Sequence, residues 1–163
     1  MHSRRGAIGK IRTNFTSFED VLIFAQIVFL ITLLPLIMKL LSLPALLKML
    51  TPEYRKGKSG EMEEKIIKYT DYIFSRNFWI YRTTCLKRSL ILYHFLRKDG
   101  INVQLCFGVR YSNKPASAGD KELEGHAWLM YEGDMYLENN VDAASTYKVT
   151  YCFPSDAEGE QNA

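Results

Sequence analysis

Residues 83–111 read TTCLKRSLILYHFLRKDGINVQLCFGVRY, and within them the apolar repeat changes from helical to extended. Leu86, Leu90, Ile91, Leu92, Tyr93, Phe95 and Leu96 cover most sides of one helix, the pattern of a segment buried at the centre of a domain. Thr83 or Thr84 suits its N-cap. Gly100 suits its end, with Arg97 and Lys98 in the last turn, where the helix dipole is negative. After Gly100 the period becomes two. Val103, Leu105, Phe107 and Val109 alternate with Gln104, Cys106, Gly108 and Arg110, as in a half-buried strand.

Residues 111–121 form a polar loop. GHAWLMY (125–131), a turn at Glu132-Gly133 and DMYLENN (134–140) then read as a β-hairpin. YKVTYCF (147–153) alternates as a further strand. Before the central helix, Ile66, Ile67, Tyr69, Ile73 and Phe74 fall at the three- and four-residue spacings of one helix face. The chain is therefore expected to be α+β: a central helix on an antiparallel sheet built from residues 102–110, 125–131, 134–140 and 147–153, preceded by apolar N-terminal helices.

Residues 1–17 are basic and polar. Residues 21–38 (VLIFAQIVFLITLLPLIM) carry no charge, and a second apolar run, LLSLPALLKML, follows at 40–50. The first run is at the lower length limit for a membrane span. Pro35 and Gln26 argue instead for helices packed on the rest of the protein, so residues 21–50 are expected to pack as soluble helices or to contact a membrane. Glu19 and Asp20 precede the run and no small-residue cleavage site follows, unlike a cleaved signal peptide. Residues 51–61 (TPEYRKGKSGE) have the composition of a linker. The organisation expected is a basic N-terminus with apolar helices at 1–50, the linker, a domain at 62–153 and a polar tail at 154–163.

The composition excludes several classes. A chain 47% hydrophobic and 24% charged can build a core. A net charge of +3, with no zinc-finger or RNP-like pattern, gives no case for nucleic acid. No Cys/His cluster has zinc spacing and no phosphate or dinucleotide loop appears, so no cofactor or metal is expected. Of the three cysteines, Cys106 and Cys152 sit in apolar alternating stretches and read as free, buried strand residues. That reading implies a reducing compartment, the cytoplasm.

The third cysteine, Cys85, opens the buried helix. Unpaired N–H groups and the helix dipole favour a thiolate there and could hold an oxyanion. A lone cysteine in that position is usually packing, so a base must be found. Of three histidines, His2 lies in the polar N-terminus. His94 is nine residues beyond Cys85, on the opposite side of the helix and roughly 13 Å along it, and reads as an exposed or locally bonded residue. His126 remains, on a strand beside Trp128. A third group should orient the imidazole. A three-residue loop Tyr131-Glu132-Gly133 would set His126 opposite Glu138, whereas a two-residue turn at Glu132-Gly133 would set it opposite Asn139. Glu138 is favoured, Asn139 is the alternative, and Asp142 is a more distant candidate.

These residues resemble a known family. TTCLKRSLILYHFLRKDGINVQLCFGVRY followed by GHAWLMYEGDMYLEN is similar to the peptidase domain of lasso-peptide biosynthesis B proteins, which belong to the transglutaminase-like superfamily of papain-like fold. The resemblance covers roughly residues 60–140, and the N-terminal helices are also similar. It implies a cysteine peptidase that removes the leader from a ribosomally made precursor peptide, assisted by a leader-recognition protein and followed by a macrolactam cyclase. Cys85 would be the nucleophile and His126 the base, and the family's acidic third member would fall at or next to Glu138. Asp is common at that third position, so Glu138 is a departure. Acyl transfer at the same site, or a non-catalytic peptide-binding or membrane-anchored scaffold, are the rival readings.

Overall fold

A computed structural model describes residues 17–52, 62–76, 84–112, 123–138 and 140–155. The central helix, α4 (Cys85–Lys98), forms where the sequence places it. Thr84 is extended and its side chain accepts from the Lys87 N–H at 3.2 Å, a true N-cap. The far end closes on Gly100 at φ 88°, with the Ile101 N–H reaching back to the Leu96 carbonyl at 2.9 Å. Leu90, Ile91, Leu92, Tyr93 and Leu96 are fully buried, so α4 is enclosed on most sides.

The sheet has strands β1 (Gln104–Tyr111), β2 (Leu123–Tyr131), β3 (Asp134–Tyr136) and β4 (Lys148–Phe153), all antiparallel, in the order β3-β2-β1-β4. Leu105 and Leu129 pair across β1 and β2 and join the core under α4. The other face of β1 is covered as well, because Cys106 and Trp128 are each 1% exposed. β1 is thus buried on both faces, not half-buried, since Trp128 lies over it.

Two expectations are corrected here. Cys106 and Cys152 are not free thiols. They pair directly across β1 and β4 with Cα atoms 4.1 Å apart, and they form a disulfide. Neither residue shows this in its own neighbourhood, because the pairing depends on the strand register. The expectation of a reducing compartment, on which the cytoplasmic assignment stood, loses its basis. The second correction concerns the hairpin. Tyr131 pairs with Asp134, so the turn has two residues, Glu132 and Gly133, both at positive φ.

The N-terminal run forms α1 (Phe18–Leu40) and α2 (Leu43–Leu50), and residues 63–75 form α3 (Glu63–Ser75). Ile27, Ile31 and Leu34 of α1 enter the same core as α3 and α4, and Phe24 meets Tyr69 edge-on at 5.5 Å. Asp20, 1% exposed, is bound by Lys65 of α3 at 2.6 Å. His94 is neither exposed nor locally bonded: its Nδ1–H donates to the Leu50 carbonyl at the end of α2. α1 has 23 residues and, among the described residues, is the one helix long and apolar enough to cross a membrane by length and composition. Residue 41, where α1 ends, is extended, and Pro44 starts α2.

Candidate active site

Cys85 is the first residue of α4, half-buried and the one free cysteine. The Lys87 N–H is taken by the Thr84 side chain and the Arg88 N–H by the Thr84 carbonyl. Among the described residues, this leaves the Cys85 and Leu86 N–H groups open at the positive end of the helix dipole. One turn further on, α4 is fastened to the hairpin. Ser89 Oγ donates to the Ala127 carbonyl at 3.0 Å. The Arg88 guanidinium donates to the Leu137 carbonyl at 2.9 Å and forks onto both carboxylate oxygens of Asp71 on α3. Residues three and four apart share a helix face. The start of α4 is therefore about one turn, ~6 Å along its axis, from contacts to the chain neighbours of His126 and Glu138.

His126 and Glu138 are in direct contact, with Nε2 and Oε2 3.1 Å apart. The route to this contact differs from the expected one. With a two-residue turn, continued pairing would carry Asn139, not Glu138, opposite His126. β3 ends at Tyr136 instead, and Leu137 adopts φ 57°. The chain leaves the ladder there, and Glu138 is swung onto the imidazole. Its other oxygen accepts the Asn140 N–H at 3.3 Å. Asn139 lies outside the described residues. Asp142 is exposed in the short helix α5 (Val141–Ala144) and makes no contact with His126.

A carboxylate only accepts, so Nε2 carries a proton, and in the neutral ring Nδ1 then presents the lone pair. Among the described residues Nδ1 has no hydrogen-bond partner, and the Cys85 sulfur makes no hydrogen bond to His126 or to any other group. The structure thus joins the candidate base and its candidate orienting carboxylate. It sets the cysteine at the same end of the hairpin without bringing the sulfur into bonding contact.

The imidazole is held between two aromatic rings that sequence reasoning gave no role. Trp128 stacks at 5.8 Å and 21°, and Tyr147 lies at 5.1 Å and 32°. Tyr147 is backed by the Arg110 guanidinium at 4.3 Å, itself paired with Glu124 at 2.9 Å. Gly108 pairs with His126 on one side and Val149 on the other. A Cβ there would meet the Trp128 ring at 2.7 Å and the Lys148 carbonyl at 2.9 Å, so only glycine admits the Trp128 ring. No local signal marks Tyr147. It reaches His126 because β1 lies between β2 and β4, a fact of strand order.

The family model described as Transglutaminase-like superfamily matches residues 30–152, most of the chain. The chain belongs to the transglutaminase-like superfamily. No curated protein and no solved structure matches it. The transglutaminase-like superfamily includes cysteine peptidases and acyltransferases, and its fold is commonly enzymatic. The α+β architecture expected from the sequence, with an apolar N-terminal helix before a transglutaminase-like domain, is the one observed.

Proposed function

We propose that this transglutaminase-like chain is a cysteine peptidase that acts through Cys85, His126 and Glu138. The observation carrying the reading is the His126–Glu138 contact, which leaves Nδ1 as the acceptor nitrogen at the hairpin end where α4 begins. Nδ1 takes the Cys85 proton and the sulfur attacks a peptide carbonyl carbon. The oxygen, now negative, is held by the open Cys85 and Leu86 N–H groups. The imidazolium returns its proton to the leaving amine as the C–N bond breaks. Water, deprotonated by the same nitrogen, then cleaves the thioester and frees the acid. Contact between sulfur and imidazole has to form when substrate binds, as apo catalytic hydrogen bonds often tighten only then.

The substrate proposed is the leader of a ribosomally made precursor peptide, with a leader-recognition protein and a macrolactam cyclase as partners. Support comes from the similarity of TTCLKRS and GHAWLMY to lasso-peptide biosynthesis B proteins. Two residues of that motif, Arg88 and Ser89, are those that fasten α4 to the hairpin, which gives the motif a physical reason. The test is incubation of the full chain with a precursor peptide and its leader-recognition protein, followed by mass spectrometry. Free leader should appear, and Cys85→Ala or His126→Ala should each lower its rate by roughly a thousandfold or more while the unfolding midpoint is kept. A new amide in place of a free acid would assign acyl transfer instead. Undiminished processing by Cys85→Ala would rule out Cys85 as the nucleophile, and precursor binding with no leader released by the parent chain would leave only a binding scaffold.

A further inference from the structure

We propose that α1 is an in-plane membrane anchor, binding an anionic lipid surface through its outer face while its inner face stays docked on the domain. Phe18, Leu22, Ala25, Phe29, Leu36 and Leu40 follow one another at three, four and seven residues. At 100° per residue they form a single stripe. Ile27, Ile31 and Leu34, the buried residues, lie on the opposite side of the same helix. The outer stripe carries no charge and is open: Phe29 is 68%, Leu36 55% and Leu40 73% exposed. It continues past the bend onto Leu43 and Met49 of α2, also exposed. A contiguous apolar surface of this length is rare on a soluble monomer and marks an interaction face.

Two observations choose the occupant. The first is charge. Residues 1–17, which lead into the stripe, carry Arg4, Arg5, Lys10 and Arg12 and no acidic residue. Lys39 and Lys48 are exposed along α1 and α2, against Glu19 as the one exposed acid of those helices. Cations preceding a bare apolar stripe in sequence, together with Lys39 and Lys48 along it, complement an anionic bilayer surface. A second copy would instead bring a second basic segment to the contact. The other observation is docking. The Asp20–Lys65 ion pair and the Gln26–Lys98 hydrogen bond tie α1 sideways to α3 and α4. Glu64, Lys68 and Asp71 are exposed on α3. A span that kept these contacts would drag those charges into hydrocarbon, so α1 lies in the interface instead of crossing it. Cys85 is at the other end of α4 from Lys98, roughly 20 Å away.

The test is co-sedimentation of the full chain with vesicles of phosphatidylcholine alone and of an equal mixture with phosphatidylglycerol. Binding is expected to the mixed vesicles, weakened by salt. Phe29→Glu with Leu36→Glu should weaken it roughly tenfold or more at an unchanged unfolding midpoint. Changing Arg4, Arg5, Lys10 and Arg12 to Gln leaves the stripe whole and should weaken it about fivefold per charge. Sodium carbonate should release the bound protein. Three results would overturn the proposal: no sedimentation with either vesicle; retention through carbonate, which means a span; or a lipid-free dimer that Phe29→Glu with Leu36→Glu dissociates while vesicles stay unbound, which means a second copy.

Discussion

Glu138 reaches His126 by leaving the ladder, so its carboxylate acts from a turn and not from a strand. Removing it takes away the acceptor that fixes the imidazole tautomer. Glu138→Ala should lower kcat/KM on a cleaved peptide about a hundredfold. Glu138→Gln keeps an oxygen for the Nε2 proton and should stay within about tenfold of the parent; equal losses in the two variants would show that charge, not tautomer control, is what Glu138 supplies. His94 makes a separate prediction. Burial lowers its pKa below the ordinary 6.5, and the bond to the Leu50 carbonyl opposes that shift. The folded chain therefore binds fewer protons than the unfolded one. The stabilisation is complete above about pH 6.5 and is lost as pH falls through the folded value. Urea midpoints measured from about pH 7.5 down to pH 5 should fall more steeply for the parent than for His94→Gln. Parallel curves would contradict it.

Elements meet at the candidate site through two small features, a missing side chain and a forked cation. Gly108 lets the Trp128 ring lie across β1 and so sets one wall of the imidazole slot. Gly108→Ala forces backbone and ring apart and should cost about 1–3 kcal/mol in urea unfolding, with activity falling further than stability alone explains. Arg88 joins α3, α4 and the exit of β3 with one guanidinium. Lysine offers one nitrogen and lacks the planar fork that grips both Asp71 oxygens while also reaching the Leu137 carbonyl. Arg88→Lys should therefore lower kcat while leaving the far-UV spectrum unchanged. These contacts could not be read from the sequence. Alternation along β2 and a strong helix at 85–98 are local properties, whereas the partner of each depends on strand order.

The whole molecule carries one covalent tie, Cys106–Cys152, across the two strands that close the sheet on the β4 side. In the native chain iodoacetamide should label Cys85 alone, and reduction should expose all three cysteines. Closing a loop over a sequence separation of 46 residues restricts the unfolded chain. The chain-entropy estimate puts the loss on reduction at roughly 4 kcal/mol. Three labelled cysteines without reductant would mean that the pair does not form. The same scale explains α1. A helix apolar on all sides is accounted for on its inner side by the core it shares with α3 and α4, and its outer side is left to another surface.

The sequence by itself determined the elements and their class. Caps, glycine stops and the switch from a helical to a two-residue period act between near neighbours, and they specified α4, β1, β2, β4 and the α+β architecture, whereas β3 stops at Tyr136, short of the expected 134–140. It also narrowed the candidate base to His126 by elimination. Only the tertiary structure decided which residues face one another. The disulfide, the Tyr147 wall and the Arg88 bridge each depend on pairings between segments distant in sequence. Glu138 shows the limit most sharply. Counting along an ideal hairpin reaches it only with the wrong turn, because one left-handed residue, Leu137, redirects the chain, and Arg88 from another element holds that residue's carbonyl.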